Sequence, residues 1–394
     1  MDILQKCYNW HDADEIKALG LYPYFIPVSG NDGPHVRMDG RDIIMVGSNN
    51  YLGLSKDARV IEAAIKATEK FGTTCSGSRF LNGTLEIHEQ LEIKLAEFVD
   101  KEAALTFSTG FTTNSGSIPT LAGRGDFIIS DKTNHASIID GQLVAFGAKV
   151  KRYKHNDPED LERVLQLVPE KAGKLIISDG VFSMEGDIVK FPEIYEIGKK
   201  YGARFYIDDA HGIGVIGKTG RGTGEHYGMQ DKIDLQMSTF SKSFGSLGGF
   251  IAGTKEVINY IKHVSRPLIF SASPTPAATA AVLESVEIIK NEPERIERLQ
   301  WIAKKMNKEF KAMGFNTLET ETPIIPIMVG EDITTFKFWR MLFEDGIFTN
   351  AVVAPAVPQG EGLIRTSFMS IHSDEDLDYI LSRFKIIGKK FGII

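Results

Sequence analysis

Lys242 stands in Ser238-Thr239-Phe240-Ser241-Lys242-Ser243-Phe244-Gly245, preceded by Asp234-Leu235-Gln236-Met237 and followed by Gly248-Gly249-Phe250-Ile251-Ala252-Gly253. A lysine on a solvated surface has charged neighbours, whereas this one has hydroxyls, glycines and two apolar runs of strand length. The pattern puts its amine at a strand end in a confined pocket. Partial desolvation lowers an amine's pKa, and an amine that is part of the time unprotonated can attack a carbonyl to give an imine. Thr239 offers a hydroxyl to an anion, and the glycines let backbone approach a flat ligand. Taken alone, the stretch also reads as an ordinary lysine in a Gly/Ser loop, and the other constellations weigh between the two.

Ile207-Asp208-Asp209-Ala210-His211 ends an apolar run with two carboxylates and an imidazole. A buried aspartate facing a pyridine nitrogen keeps that nitrogen protonated, which makes the ring an electron sink. His211 then reaches for the ring's phenolic oxygen. The plainer reading of Asp208 is a loop cap. His135, in Asn134-His135-Ala136-Ser137, follows another apolar run and is placed to stack on an aromatic ring. Ser108-Thr109-Gly110-Phe111-Thr112-Thr113-Asn114 sits at a strand-to-helix junction, where hydroxyls and free amides make either a phosphate seat or a simple helix cap.

Gly212-Ile213-Gly214-Val215-Ile216-Gly217-Lys218-Thr219 fits both the phosphate-loop and the dinucleotide glycine patterns. Both need a helix to open at the loop so that its N-terminus meets the phosphate. Gly220, Gly222 and Gly224 follow directly, and at up to ~1 kcal/mol per interior glycine a helix is disfavoured there. A phosphate-loop ATPase is therefore the remote alternative.

These residues need elements to position them. From Ala103 to Gly253 short apolar runs (104–107, 127–130, 149–153, 175–178, 204–208 and the two beside Lys242) alternate with helical segments at 111–121, 135–146, 157–167 and 192–201. Such alternation predicts an α/β fold with a mostly parallel central sheet flanked by helices, and ligands gather at the carboxyl ends of its strands. Before it lie an arm, a hairpin turning at Asp39-Gly40, a polar loop Ser48-Asn49-Asn50-Tyr51, and helices at 57–71 and 85–98. After it come helices at 256–263, 275–289 and 294–313. The tail predicts strands at 324–329, 347–353 and 363–369, a helix at 335–343, and a last helix capped by Ser373 with Asp376. The organisation expected is an arm and hairpin over 1–50, a large domain over 51–275 and a smaller α+β domain over 276–394.

The 394 residues are 42% hydrophobic and 25% charged, ordinary for a soluble globular chain. A net charge of -7 argues against nucleic acid or an anionic membrane as the main partner. Cys7 and Cys75 are the only cysteines, so neither a disulfide framework nor a cysteine zinc site is supported, and no metal is expected. No apolar run of ~18 residues and no basic-then-apolar leader occurs, which predicts a cytoplasmic chain without an integral membrane segment.

Three long motifs, Gly77-Ser78-Arg79-Phe80-Leu81-Asn82-Gly83-Thr84, Gly180-Val181-Phe182-Ser183-Met184-Glu185-Gly186-Asp187 and Thr239-Phe240-Ser241-Lys242-Ser243-Phe244, resemble those of the α-oxoamine synthases. These are pyridoxal 5'-phosphate enzymes of fold type I, aspartate aminotransferase-like, and the likeness spans nearly the whole chain. The resemblance implies that Lys242 carries the cofactor as an imine, Asp208 pairs with the ring nitrogen, His211 with the phenolic oxygen, and His135 stacks on the ring. It also implies that Thr109, Gly110, Phe111 and Thr239 hold the phosphate and that Ser183 lies beside the cofactor. Ser271 and Ser273 would reach the phosphate of a neighbouring subunit, so the site would be shared in a homodimer. Asn50 and Arg365 would bind the amino-acid carboxylate. Within the family the motifs are most like those of members that condense L-serine with a long-chain acyl-CoA, the first step of sphingolipid synthesis, with peripheral contact at the inner membrane surface as a further expectation. Members that use glycine with acetyl-CoA, or alanine with a pimeloyl thioester, would keep every cofactor residue named.

Overall fold

The structure, a computed structural model, describes residues 2–394. Its first fixed point is Asp39-Gly40, where φ is 50° and 72°. Positive φ at both central residues matches a two-residue turn to the twist of antiparallel strands. The turn joins β2 (His35–Met38) to β3 (Arg41–Met45), with Met38 paired to Arg41. A strand not foreseen, β1 (Val28–Asp32), lies against β2. Its polar Ser-Gly-Asn-Asp sequence has no strand periodicity, and the ladder to β2 is what extends it.

The central sheet has seven strands: β4 (Ala103–Phe107), β5 (Phe127–Asp131), β6 (Lys149–Tyr153), β7 (Lys174–Asp179), β8 (Arg204–Asp208), β9 (Leu235–Thr239) and β10 (Gly249–Gly253). Their order is β4-β10-β9-β8-β7-β5-β6. β10 runs antiparallel to both neighbours and all other pairings are parallel, so β4 and β5 to β9 end at one edge. Ile128, Ile129, Ile176 and Ile177 are all fully buried. Consecutive apolar residues are needed because helices cover both faces.

The tail forms a second, three-stranded sheet of Ile324–Gly330, Gly362–Ser367 and Asn350–Val352. The single strand expected over 347–353 is split at Thr349. Ile347–Phe348 pairs in parallel with β3, while Asn350–Val352 pairs with Gly362–Ser367. The N-terminal hairpin and the C-terminal elements consequently share one core, in which Val36, Met38 and Ile43 meet Trp339, Phe338 and Ile347. The final helix, Asp374–Lys390, is capped as expected, with Ser373 accepting from the Asp376 N–H at 3.0 Å.

The glycine-rich segment after β8 forms turns, and no helix opens on it. Gly214 and Gly217 have φ of 74° and 85°, and the next helix, Thr223–Tyr227, has five residues. The glycines close over a carboxylate of the chain's own: a side chain at Gly212 or Gly222 would collide with the Asp209 carboxylate. Asp209, pushed up to about 6 by burial, accepts from the Thr223 N–H and hydroxyl and from Gln236.

Candidate active site

Lys242, Asp208, His135, His211, Thr109 and Gly110 line one cavity of about 250 Å³ at the carboxyl edge of the sheet, and Phe111, Ser183 and Thr239 complete its wall. They arrive from strand ends, from the loops after them and, for Gly110 and Phe111, from the first turn of the next helix, which is why residues as far apart in sequence as Thr109 and Lys242 meet.

Burial holds the Lys242 ammonium down to about 8, with Asp208 and then Asp179 pulling partly the other way. The Asp208 carboxylate accepts from Asn114 Nδ2 at 2.7 Å on one oxygen and from the Ala210 N–H at 2.9 Å on the other. Asn114 is a hub that sequence reasoning assigned only to the phosphate seat. Its carbonyl accepts from the Tyr206 hydroxyl at 2.7 Å, and its amide also donates to Ser137 Oγ at 2.8 Å. Ser137 in turn contacts His135 Nδ1, at 2.8 Å from its hydroxyl and 3.2 Å from its backbone N–H. Since an N–H donates to it, Nδ1 is an acceptor and the ring proton sits on Nε2. Burial lowers the His135 pKa, so the imidazole is neutral.

His211 is driven well below its ordinary range, first by burial and then by Lys242, Arg365 and His135. Its Nδ1 lies 2.7 Å from the hydroxyl of Tyr51, a fully buried residue whose own pKa is raised by burial. Tyr51 thus remains a phenol and fixes the ring. Nothing in the sequence pointed to this role beyond the position of Tyr51 in the polar loop.

The phosphate seat is a helix start. Thr109 Oγ1 accepts from the Thr112 N–H at 3.0 Å, capping the helix Gly110–Leu121 and contributing about 1 kcal/mol. Its hydroxyl is engaged there. The first-turn N–H groups of Gly110 and Phe111 have no acceptor among the described residues. Gly110 is required by close approach, because a Cβ would lie 2.7 Å from Thr239 Cβ and Oγ1.

Two pairs expected at the site lie off this cavity. Arg365, 5% exposed in the strand Gly362–Ser367, donates through Nε to the Ser183 carbonyl and through Nη2 to Asn49 Oδ1 at 3.1 Å. Asn50 turns away, its amide donating to Ser55 Oγ at 2.8 Å, so Asn49 is the amide beside Arg365. Ser273 is buried with its N–H and hydroxyl donating to the Gly77 carbonyl, and Ser271 is half-buried; neither lines the cavity of its own chain.

The sequence family described as aminotransferase class I and II matches residues 41–384. The chain is an α-oxoamine synthase of that family. It is 47% identical to a serine palmitoyltransferase of Sphingobacterium spiritivorum, over 99% of this chain and 97% of that one. It is also 45% identical to an 8-amino-7-oxononanoate synthase of Thermoanaerobacter pseudethanolicus, over 98% and 99%. Among solved structures, a serine palmitoyltransferase of Sphingomonas wittichii superposes with a TM-score of 0.95 at 35% identity, and a structure of SPT with the PLP internal aldimine with 0.96 at 35%; in both the match covers all of each chain. The aminotransferase-like α/β fold expected from the sequence is thereby borne out.

The residues present in this α-oxoamine synthase fit pyridoxal phosphate. The amine held near 8 suits a covalent bond to an aldehyde, and the free N–H groups at the helix start suit a phosphate. The doubly donated Asp208 carboxylate suits a protonated ring nitrogen. Among the described residues no group of side chains could hold a metal ion, and no helix is long and apolar enough to cross a membrane.

Proposed function

We infer that the chain is a pyridoxal-phosphate-dependent serine palmitoyltransferase: it condenses L-serine with a long-chain acyl-CoA, releasing carbon dioxide and CoA and leaving 3-ketosphinganine. The observation that carries the reading is the desolvated Lys242 amine in one cavity with the Asp208 carboxylate and the open helix start at Gly110. Bound there, pyridoxal phosphate supplies an electron-poor ring that accepts the electron pair released at the amino acid's α-carbon.

The chain's own residues do the rest. Asp208 keeps a proton on the ring nitrogen, and neutral His135 covers the ring. Arg365, its guanidinium oriented by Ser183 and Asn49, grips the serine carboxylate. Lys242, as the free amine, takes the proton from the serine α-carbon. The α-carbon then bonds to the thioester carbonyl carbon, and the C–S bond breaks to release CoA. His135 donates from Nε2 to that carbonyl oxygen. The serine carboxylate leaves as carbon dioxide, and Lys242 returns its proton to the α-carbon.

We further read the protein as a cytoplasmic homodimer with a shared site, Ser271 and Ser273 serving the neighbouring subunit's phosphate, and its acyl substrate as collected at a membrane surface.

The test is the visible absorption spectrum of the purified protein with L-serine, glycine and L-alanine added separately, followed by CoA release from palmitoyl-CoA. A spectral change and turnover with L-serine are expected. Response to glycine or alanine alone would move the substrate to the short-chain members, which keep the same cofactor residues.

A further inference from the structure

Asp179 is a titratable group lining the cavity to which neither the sequence motifs nor the mechanism above give a task. It ends β7 as Asp208 ends β8, and the two are register partners on parallel strands. Their side chains therefore leave the same face from backbones about 4.8 Å apart. Both are buried, 5% and 3% exposed. Two carboxyls so placed out of water do not both ionise, and the pair shares a proton.

The hydrogen bonds decide which carboxyl holds it. Asp208 accepts an N–H on each oxygen, and two donated hydrogen bonds favour the ionised form of that carboxyl. Asp179 accepts from the His135 N–H on Oδ2 at 2.9 Å, and among the described residues Oδ1 has no partner. Burial and then the charge of Asp208 push the Asp179 carboxyl well above its ordinary range. The His135 N–H and Lys242 oppose this, Asp131 on β5 adds to it, and from β6 the neighbouring group is the un-ionised Tyr153 phenol.

Strand order places this acid relative to the cofactor. The phosphate seat comes from the loop after β4 and from Thr239 on β9, to one side of β8, and β7 lies on the other side. Pyridoxal phosphate carries its phosphate arm and its phenolic oxygen on opposite sides of the axis from ring nitrogen to aldehyde carbon. With the nitrogen at Asp208 and the aldehyde carbon at Lys242, the phenolic oxygen falls toward β7. Resting on the cofactor reading above, we propose that Asp179 is the proton-bearing member of a carboxyl pair with Asp208 and donates a hydrogen bond from Oδ1 to the cofactor's phenolic oxygen. His211, neutral and held by Tyr51, shares that oxygen, and Asp208 is left as the carboxylate that faces the ring nitrogen.

Asp179→Asn imitates the neutral acid, with an N–H donor and a carbonyl for the His135 N–H; Asp179→Ala removes both. In the cofactor-free chain near neutral pH, the infrared difference between wild type and Asp179→Asn should contain the C=O stretch of a protonated carboxyl. Ionised carboxylate bands in its place would overturn the proposal, and this arm needs no cofactor. In the loaded protein, Asp179→Asn should keep the cofactor dissociation constant within about twofold and leave the pH midpoint of the visible band unshifted, whereas Asp179→Ala should weaken binding about tenfold. An Asn variant whose midpoint shifts, or an Ala variant indistinguishable from wild type, would overturn it. The infrared arm and the Asn arm decide without the Ala variant should that one not fold. A protein that binds no cofactor would overturn the functional reading and the phenolic contact with it, while the infrared result would still judge the carboxyl pair.

Discussion

The amine of Lys242 carries a pH signature that an exposed lysine lacks. Burial brings it from 10.5 to about 8. Its modification by an amine-directed reagent in the cofactor-free chain should therefore rise with pH through a midpoint near 8, two to three units before the bulk lysines; a midpoint shared with them would remove the basis for its role. Lys242→Ala should abolish both the visible band and turnover. Arg365 acts through geometry as well as charge, since its planar fork is already aligned by Ser183 and Asn49. Arg365→Lys keeps the charge and loses the fork, so the KM for L-serine should rise about tenfold or more with the cofactor spectrum retained. Lys242, Asp208, His135 and His211 were legible from residue type and position because strand ends converge. Asn49 and Asn50 were not separable, since adjacent loop amides differ only in which way the backbone turns them.

At the scale of elements, the loop over 180–187 is tied down from several sides. His155 Nε2 lies 3.2 Å from Asp187 Oδ2 and Nδ1 lies 3.3 Å from Asp131 Oδ1, with the imidazole edge-on to Phe182 at 4.4 Å. The Gly186 carbonyl accepts from the hydroxyls of Thr320 and Thr322. The loop thus ties the end of β5 to the tail while offering the Ser183 carbonyl to Arg365. Burial works against the His155 cation, but its bonds to Asp131 and Asp187 outweigh that and raise it to about 10. Because the folded pKa lies above the unfolded 6.5, this contribution is complete below about 6.5 and is lost as pH rises through about 10. The urea midpoint of wild type minus that of His155→Gln should shrink across that window; a difference independent of pH would mean that His155 acts by packing alone.

For the whole molecule, the cavity lacks any contribution from Ser271 and Ser273 of its own chain. If each serves the neighbouring site, the deficits of Lys242→Ala and Ser271→Ala must complement in a mixed dimer, because one of its two sites has every part. Equal mixing after subunit exchange should then give up to about one quarter of wild-type CoA release, half the dimers having one intact site. Activity no higher than the Ser271→Ala protein contributes by itself would confine each site to one chain. The covered sheet was readable at this scale from the alternation of runs such as Phe127-Ile128-Ile129 with helices. The split at Thr349 was not, since 347–353 holds no Gly or Pro to mark a break and the competing edges of β3 and Gly362–Ser367 divide it.

By itself the sequence determined which residues sit at strand ends, where the glycine-rich turn would refuse a helix, and which side chains are chemically able to form an imine, pair a ring nitrogen or cap a phosphate. These are local properties of spacing and residue type. Only the tertiary structure decided that Asn114 ties Asp208 to His135, that Tyr51 holds His211, that Asp209 turns from the site while Asp179 joins it, and that Asn49 rather than Asn50 meets Arg365. Each of those partnerships joins elements distant in sequence, and strand order and register, which no single segment encodes, fix which of many similar polar groups come within 3 Å or so of one another.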